Sequence, residues 1–381
     1  MNIYTITNIC IPFLLSMICG FLAIPVIIRF CNKHKLFDLP DVRKVHKTSV
    51  PRLGGICFMP SMSVALLAAI MFINFSSAEH EIQFSPWSVY FFFSLFIIYM
   101  LGLIDDIIGL DAKVKFVVQI VAASFLPFLG GLYFNNLYGF MGFHEISFYI
   151  GAPLTVFVIV FVCNAINLID GIDGLSAGLS LISLTGFLVC YVQEGLMIYS
   201  MLIASLMGVI VAFLYYNLFG NLEKKTKIFM GDSGSLTLGF ILGFLLVKFS
   251  MDNPNVLPFR KNSMLLAYTM LIVPTFDVFR VILVRFFHRC SIFGADKNHL
   301  HHKLMRAGLT QRQTLIAILF MAIGFIIINI LLSHYIIVTY IVIIDIIIWF
   351  MCQLYIDYKI RKAGNKSFVK EIKSAPKHIC L

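Results

Sequence analysis

Apolar runs of about twenty residues, the length of a helix that crosses a bilayer, recur along the whole chain between short polar segments. The pattern predicts an all-α polytopic membrane protein with about eleven transmembrane helices. The predicted spans cover residues 9–30, 54–75, 87–104, 115–133, 152–169, 175–192, 196–216, 234–250, 263–283, 313–333 and 335–355. Residues 130–151, rich in glycine and aromatic side chains, predict an interfacial loop with room for a short hairpin.

The composition supports membrane insertion over the full length. The 381 residues are 60% hydrophobic and 13% charged, whereas soluble domains are about half apolar and a quarter charged. The first apolar run lacks a basic segment before it and a small-residue cleavage site, so we expect a retained span. The nine cysteines include no C-x-x-C pair, and we predict neither a disulfide framework nor a cysteine zinc site.

The basic residues lie almost entirely on one side of the predicted membrane. The polar segments 29–52, 105–115, 217–228, 285–312 and the tail from 356 carry 25 of the 29 Lys and Arg residues. Cytoplasmic loops are enriched in these residues, so we predict a cytoplasmic C-terminus and an N-terminus outside. This bias accounts for the net charge of +10, and we predict no nucleic-acid partner.

The chain is predicted to form one transmembrane catalytic domain, residues 1–356, and a basic cytoplasmic tail, residues 357–381. The tail is expected to bind anionic lipid headgroups. Asp345, alone within the last span, is open to a functional role or to structural pairing with another helix. The predicted cytoplasmic active-site loops are residues 33–53, 105–115, 168–175, 217–235 and 284–312.

The most informative stretch is the sequence NAINLIDGIDG at residues 164–174, which ends a long apolar run. Residues three apart share a face of a helix, so Asp170 and Asp173 are expected to point at one ligand, with Asn167 one turn earlier. Acids beside hydrocarbon are costly and indicate a functional site. The alternative is a helix end that reaches water.

Two further acidic motifs lie on the same side. Asp105 and Asp106 end the third span, and adjacent carboxylates need a cation or water between them. A hard divalent cation with oxygen ligands would satisfy them. Asp232 lies between Gly231 and Gly234 at a predicted helix start, where helix capping is the alternative to metal or phosphate binding.

A basic cluster follows the ninth span. It contains His299, His301 and His302, followed by Lys303 and Arg306. Zinc binding is one interpretation, but the carboxylates elsewhere on this face suit Mg²⁺ better. We therefore assign the histidines to phosphate contact. Carboxylates for a metal ion and basic groups for phosphate together favour phosphoryl transfer at the cytoplasmic face.

These motifs, in this order over residues 33–312, resemble the polyprenyl-phosphate N-acetylhexosamine-1-phosphate transferases, relatives of phospho-MurNAc-pentapeptide translocase. The resemblance rests on NAINLIDGIDG, the pair Asp105-Asp106, the sequence FMGDSGS at 229–235, and HLHH at 299–302. The HLHH sequence and the span count are similar to the branch that starts O-antigen, enterobacterial common antigen or wall teichoic acid. At one position of the aspartate-rich motif, this chain has Gly109, with Asp111 two residues later.

The resemblance implies transfer of an N-acetylhexosamine-1-phosphate, with GlcNAc expected, from a UDP-sugar to undecaprenyl phosphate at a bacterial plasma membrane. UMP would be released, and the cofactor would be Mg²⁺ or Mn²⁺. It implies catalytic roles for Asp105, Asp106, Asp170 and Asp173. Metal ligation would fall to Asp232, Asp106 and Asp170, and substrate binding to Lys47, Asn167, Phe229, His299, His301 and His302. A homodimer is expected by analogy only.

Several alternatives stay open at this point. We favour direct attack by the lipid phosphate, but Asp105 could instead act as a base or as a covalent nucleophile. A secondary transporter would also contain intramembrane acids, although transporters place them near the bilayer midplane. A non-catalytic scaffold for glycan assembly is the third possibility.

Overall fold

The computed structural model describes residues 3–38, 49–76, 86–253, 256–289, 298–362 and 364, and within these the chain is almost entirely helical. The α-helices are α1 (Ile3–His34), α2 (Phe58–Ser76), α3 (Pro86–Ile108), α4 (Ala112–Phe128), α5 (Phe148–Ile169), α6 (Leu175–Gln193), α7 (Met197–Phe219), α8 (Asp232–Ser250), α9 (Ser263–Thr269), α10 (Ile272–Phe287), α11 (Leu300–Arg306), α12 (Gln311–Leu332) and α13 (Val338–Lys362). Two short antiparallel pairs complete the fold: β1 (Phe37–Asp38) with β2 (Val50–Pro51), and β3 (Asn136–Phe140) with β4 (Phe143–Glu145).

Nine of the described helices are long and apolar enough to cross a membrane, so the protein is an all-helical polytopic membrane protein. These are α1, α2, α3, α5, α6, α7, α8, α12 and α13. Two predicted spans have a different form. The fourth contains α4, which has only 17 residues, and the ninth is divided between α9 and α10.

The division of the ninth predicted span has a local cause. The chain leaves the helix after Thr269 and re-enters it at Ile272, with Pro274 in the first turn of α10. Proline has no backbone N–H and its ring clashes with the carbonyl four residues earlier, so a continuous helix through this point is disfavoured.

The predicted interfacial loop contains a hairpin, β3–β4, which pairs Phe140 with Phe143. Gly142, at φ +83°, closes the turn with a hydrogen bond from its amide to the Gly139 carbonyl. The amide of Met141 donates to the Thr339 hydroxyl at 2.7 Å and so attaches the hairpin to α13.

The centre of the bundle is α8, whose residues from Ser233 to Ser250 are all buried. A helix that is apolar on every side belongs inside a protein. Its close neighbours α3 and α5 approach through glycine: a Cβ on Gly102 of α3 would lie 2.5 Å from the Ser233 Cα. A Cβ on Gly239 would lie 2.6 Å from the Cα of Cys163 in α5.

Asp345 has a structural partner on another helix, one of the two roles left open above. Its Oδ2 accepts hydrogen bonds from Asn329 Nδ2 of α12 at 2.9 Å and from the Tyr268 hydroxyl of α9 at 3.3 Å. These bonds attach α13 to the bundle. The basic tail from residue 365 lies outside the described residues.

We predict that Gly102→Ala destabilises the protein. The added methyl group would meet backbone atoms of α8, and such overpacking costs about 1–3 kcal/mol. The matched control is Gly324→Ala in α12, where an added Cβ would meet no atom within 4 Å. Thermal unfolding in detergent should show a lower midpoint for the first variant and an equal or higher one for the second. Equal midpoints would contradict the close α3–α8 contact.

Candidate active site

The site is built around the N-terminus of α8. Asp106, at the end of α3, accepts a hydrogen bond from the Asp232 amide on Oδ1 at 2.8 Å and from the Ser233 amide on Oδ2 at 2.9 Å. These amides would otherwise lack partners at the start of the helix. Gly231 precedes them at φ +75°, and a Cβ there would lie 2.6 Å from Asp106 Oδ2. The Asp106 carboxylate of α3 therefore caps the N-terminus of α8.

Lys115 of α4 joins two of the predicted acids. Its ammonium group lies 2.8 Å from Asp105 Oδ2 and 3.0 Å from Asp232 Oδ2. The second oxygen of Asp105 accepts the Leu110 amide at 2.6 Å. A positive charge thus already lies between the Asp105 and Asp232 carboxylates, which are far apart in sequence.

Asn167 of α5 completes this group. Its Nδ2 donates to Asp232 Oδ1 at 3.1 Å and to the Ser235 hydroxyl at 2.8 Å. The structure therefore brings together side chains from the ends of α3 and α5 and from the start of α8, as their position at one end of the predicted spans suggested.

The expected helical face shared by Asn167, Asp170 and Asp173 is wrong. Helix α5 ends at Ile169, and residues 170–174 form a turn that closes with Gly174 at φ +74°. Glycine removes the steric cost of that conformation and lets the turn lead directly into α6 at Leu175. As a result Asp173 does not share a helical face with Asp170, and its Oδ2 lies 2.6 Å from Lys227 Nζ.

The 170–174 turn is held by polar groups from α7 and the following loop. Asn217 Oδ1 accepts the Gly174 amide at 2.7 Å, and Asn217 Nδ2 donates to the Ile228 carbonyl at 2.9 Å. Lys227 Nζ donates to the Asn217 carbonyl as well as to Asp173. Asp173 thus fixes the turn to the loop that precedes α8.

Asp170 differs from its neighbours. Within the described residues its carboxylate has no hydrogen-bond partner. Burial raises the pKa of the Asp170 carboxyl to about 8, and the negative charges of Asp232, Asp173 and Asp106 raise the pKa further. A carboxylate in this position gains free energy from a nearby cation.

The chemistry of these donors fits a divalent metal ion. Among the described residues, no three Asp, Glu, His or Cys side chains lie close enough together to form a complete ligand set. Mg²⁺ does not require one, because it commonly binds one or two carboxylates and completes its shell with waters and substrate phosphates. The carboxylate oxygens of Asp170 and Asp232 are suitable hard donors.

The three histidines form a row that reaches the 170–174 turn. The rings of His299 and His301 lie 6.0 Å apart and nearly parallel, and those of His301 and His302 lie 4.2 Å apart. His301 packs against Gly171 so closely that a Cβ there would lie 2.1 Å from its Nε2. Burial lowers the pKa of His301 to about 3, so the ring is neutral at physiological pH.

The row is supported from two sides. His299 Nδ1 lies 2.9 Å from Asp277 Oδ2 of α10. Lys303, one turn along α11, lies 2.7 Å from Asp357 and donates to Gln353 at 2.9 Å, both on α13. In the described part of the chain the histidines join no cluster of three or more His, Cys, Asp or Glu side chains that could hold a metal ion.

Phe229, another predicted residue, lies in the loop before α8. The amide of Phe229 donates to the Pro51 carbonyl at 2.7 Å, and the Phe229 carbonyl accepts a hydrogen bond from the Gly54 amide at 2.9 Å. This pairing brings the end of the first polar loop to the site. Lys47 lies outside the described residues.

Five site residues escaped the sequence reasoning: Lys115, Asn217, Lys227, Ser235 and Asp277. Asp277 is an acid inside the predicted span 263–283, and Asn217 directly follows the predicted span 196–216, as Asp170 follows the span that ends at residue 169. Lys115 and Lys227 resembled ordinary cytoplasmic loop lysines, and only the tertiary contacts distinguish them.

Comparison with known proteins gives a consistent result. Residues 88–250 match the family described as Glycosyl transferase family 4. A probable undecaprenyl-phosphate N-acetylglucosaminyl 1-phosphate transferase of Bacillus subtilis (strain 168) is 33% identical over 323 residues, 82% of this chain and 81% of the relative. Undecaprenyl-phosphate alpha-N-acetylglucosaminyl 1-phosphate transferases of Yersinia pestis and Escherichia coli (strain K12) are both 28% identical, over 84% and 85% of this chain and 83% and 84% of the relatives.

We predict that Asp106→Asn destabilises the protein. The amide keeps one acceptor oxygen but turns an NH₂ group toward a buried backbone N–H, at a cost of about 1–3 kcal/mol. Asp111→Asn is the matched control, because Asp111 caps α4 at an exposed site and asparagine caps equally well there. The measurement is the unfolding midpoint in detergent. A neutral Asp106→Asn would show that α8 does not depend on this cap.

Proposed function

The chain belongs to glycosyl transferase family 4, and from this premise we propose that it transfers GlcNAc-1-phosphate from UDP-GlcNAc to undecaprenyl phosphate and releases UMP. The observation that carries the proposal is the group of Asp105, Lys115, Asn167 and Asp232 at one helix end. This group offers acids for a metal ion, and the histidine row that contacts Gly171 offers hydrogen-bonding groups for phosphate. Membership in a family of transferases favours an enzyme over the transporter and the scaffold.

The active site is proposed to face the cytoplasm of a bacterial plasma membrane, with eleven crossings that include α4 and the α9–α10 pair. The bias of Lys and Arg toward one side supports this orientation. With the N-terminus outside, the ends of α3 and α5 and the start of α8 all lie on the cytoplasmic side. There the site meets both a soluble nucleotide sugar and a lipid headgroup.

Asp170 and Asp232 are the proposed ligands of Mg²⁺, with Mn²⁺ as a substitute. Asp170 has a carboxylate without a described partner, and Asp232 is already bonded to a cationic side chain. Bound metal would neutralise the diphosphate of the donor. Asp106 is the weaker candidate ligand, since its oxygens accept backbone amides of α8, whereas those of Asp232 accept from the side chains of Asn167 and Lys115, which can reorient.

The proposed reaction is direct displacement. An oxygen of the lipid phosphate attacks the β-phosphorus of UDP-GlcNAc, and the bond from that phosphorus to the bridging oxygen breaks. UMP leaves with the electron pair, and the product is a lipid diphosphate sugar. Both Asp105 oxygens already accept hydrogen bonds, from Leu110 and Lys115, which argues against Asp105 as a covalent nucleophile.

The histidine row and Lys115 are the proposed partners of the diphosphate. Lys115 supplies a positive charge beside the acids, whereas neutral His301 would contribute hydrogen bonds without charge. Phe229 near the nucleobase and Lys47 at a phosphate are proposed from the family resemblance. Asp173, paired with Lys227, is proposed to hold the 170–174 turn rather than to react.

We expect Asp232→Asn to lower the rate of UMP release by about 100-fold or more, because it removes a charge at the reacting diphosphate. Purified protein is assayed with undecaprenyl phosphate, UDP-GlcNAc and Mg²⁺. Chelation by EDTA should abolish turnover, and added Mg²⁺ should restore it. Glu223→Gln, on an exposed turn, is the control and should keep wild-type activity. Wild-type turnover by Asp232→Asn, or after full chelation, would refute the metal assignment.

A further inference from the structure

A fully buried acid outside the predicted motifs supports the histidine row. Asp277 of α10 has 0% of its surface exposed. Its carboxylate lies between three donors: His299 Nδ1 is 2.9 Å from Oδ2, while the Leu300 amide and Arg280 NH2 are each 2.9 Å from Oδ1. A buried carboxylate with this many partners fixes the geometry of whatever it bonds.

The first consequence concerns the protons of His299. The hydrogen bond at one ring nitrogen determines which nitrogen carries the proton, and a carboxylate accepts only. Nδ1 of His299 must therefore be the N–H that donates to Asp277. Within the described residues nothing bonds to Nε2, so the distal side of the ring remains available to a ligand.

The second consequence concerns the position of α11. Leu300 is the first residue of this seven-residue helix, and its amide donates to Asp277. Arg280 also donates to the carbonyl of Asn298, two residues before the helix. One side chain of α10 thus fixes both the ring of His299 and the start of the segment that carries His301 to the 170–174 turn.

We propose that Asp277 is a positioning residue for the transfer reaction. It holds His299 with Nδ1–H toward α10 and, in the doubly protonated ring that a carboxylate neighbour favours, directs Nε2–H as a donor toward the diphosphate of the donor substrate. Asp277 itself touches no substrate and acts through His299. The inference rests on the proposed function, because it assigns His299 to the phosphates of the same reaction.

Asp277→Asn tests the proposal with the smallest change. The amide oxygen can keep the Leu300 and Arg280 bonds, while the NH₂ group faces His299 and cannot accept its Nδ1–H. We expect kcat/KM for UDP-GlcNAc to fall roughly 10- to 100-fold, the scale of a misplaced reacting group. Asp345→Asn, an equal substitution at a buried carboxylate far from the described site contacts, should stay within about 2-fold of wild type.

A second substitution separates positioning from folding. In His299→Gln the side-chain amide can reach the position of Nε2 and no longer depends on Asp277. We expect this variant to keep part of the activity, and Asp277→Asn added to it to change kcat/KM by less than about 2-fold. If Asp277 had only a structural role, the losses of kcat/KM in the two single variants would multiply in the double variant. The unfolding midpoint would also fall equally in Asp277→Asn and in the double variant.

His299→Asn covers the case in which Asp277→Asn fails to insert. Its amide nitrogen replaces Nδ1 and keeps the bond to Asp277, but nothing replaces Nε2. It should fold as the wild type does and lose activity. Wild-type kcat/KM in either Asp277→Asn or His299→Asn overturns the positioning role while UMP release by the unmodified enzyme stands. Absence of UMP release by the unmodified enzyme would instead refute the proposed function.

Discussion

The structure depends on the hydrogen bonds from the first amides of α8 to the carboxylate of Asp106. Helix α8 is buried along its length, and a buried N–H group without a partner costs free energy comparable to a lost hydrogen bond. A side chain from α3 supplies the acceptors. The same contact fixes Asp232, the first residue of α8, beside Asp105 and Lys115. One capping interaction therefore positions both the central helix and the acids of the site.

The carboxylates of the site repel one another unless cations lie between them. Asp105 and Asp232 share the ammonium group of Lys115, and Asp173 has Lys227. Asp170 has no ion-pair partner among the described side chains, and its pKa is raised first by burial and then by the neighbouring negative charges. Cationic side chains thus compensate Asp105, Asp173 and Asp232, and Asp170 is left as the position proposed for a metal ion.

The sequence predicted the helices well because runs of apolar residues report burial in lipid directly. It failed where the backbone is interrupted. Pro274 divides a run that is continuous in hydropathy, and α5 ends at Ile169, before Asp170 and Asp173, which were expected to share one of its faces. Partners such as Asn217 and Asp277 come from distant segments, and no local pattern connects them to the residues that they hold.

The contact between Lys303 and α13 has a consequence for the biogenesis of the protein. Lys303 is bonded to Gln353 and Asp357, which lie near the C-terminal end of the last helix. During synthesis the acids from Asp105 to Asp232 precede that helix by more than a hundred residues. A nascent chain therefore contains these carboxylates long before Lys303 of the histidine segment can form its contacts with α13. The segment that carries the histidine row can therefore reach its final position only after the last helix has been made.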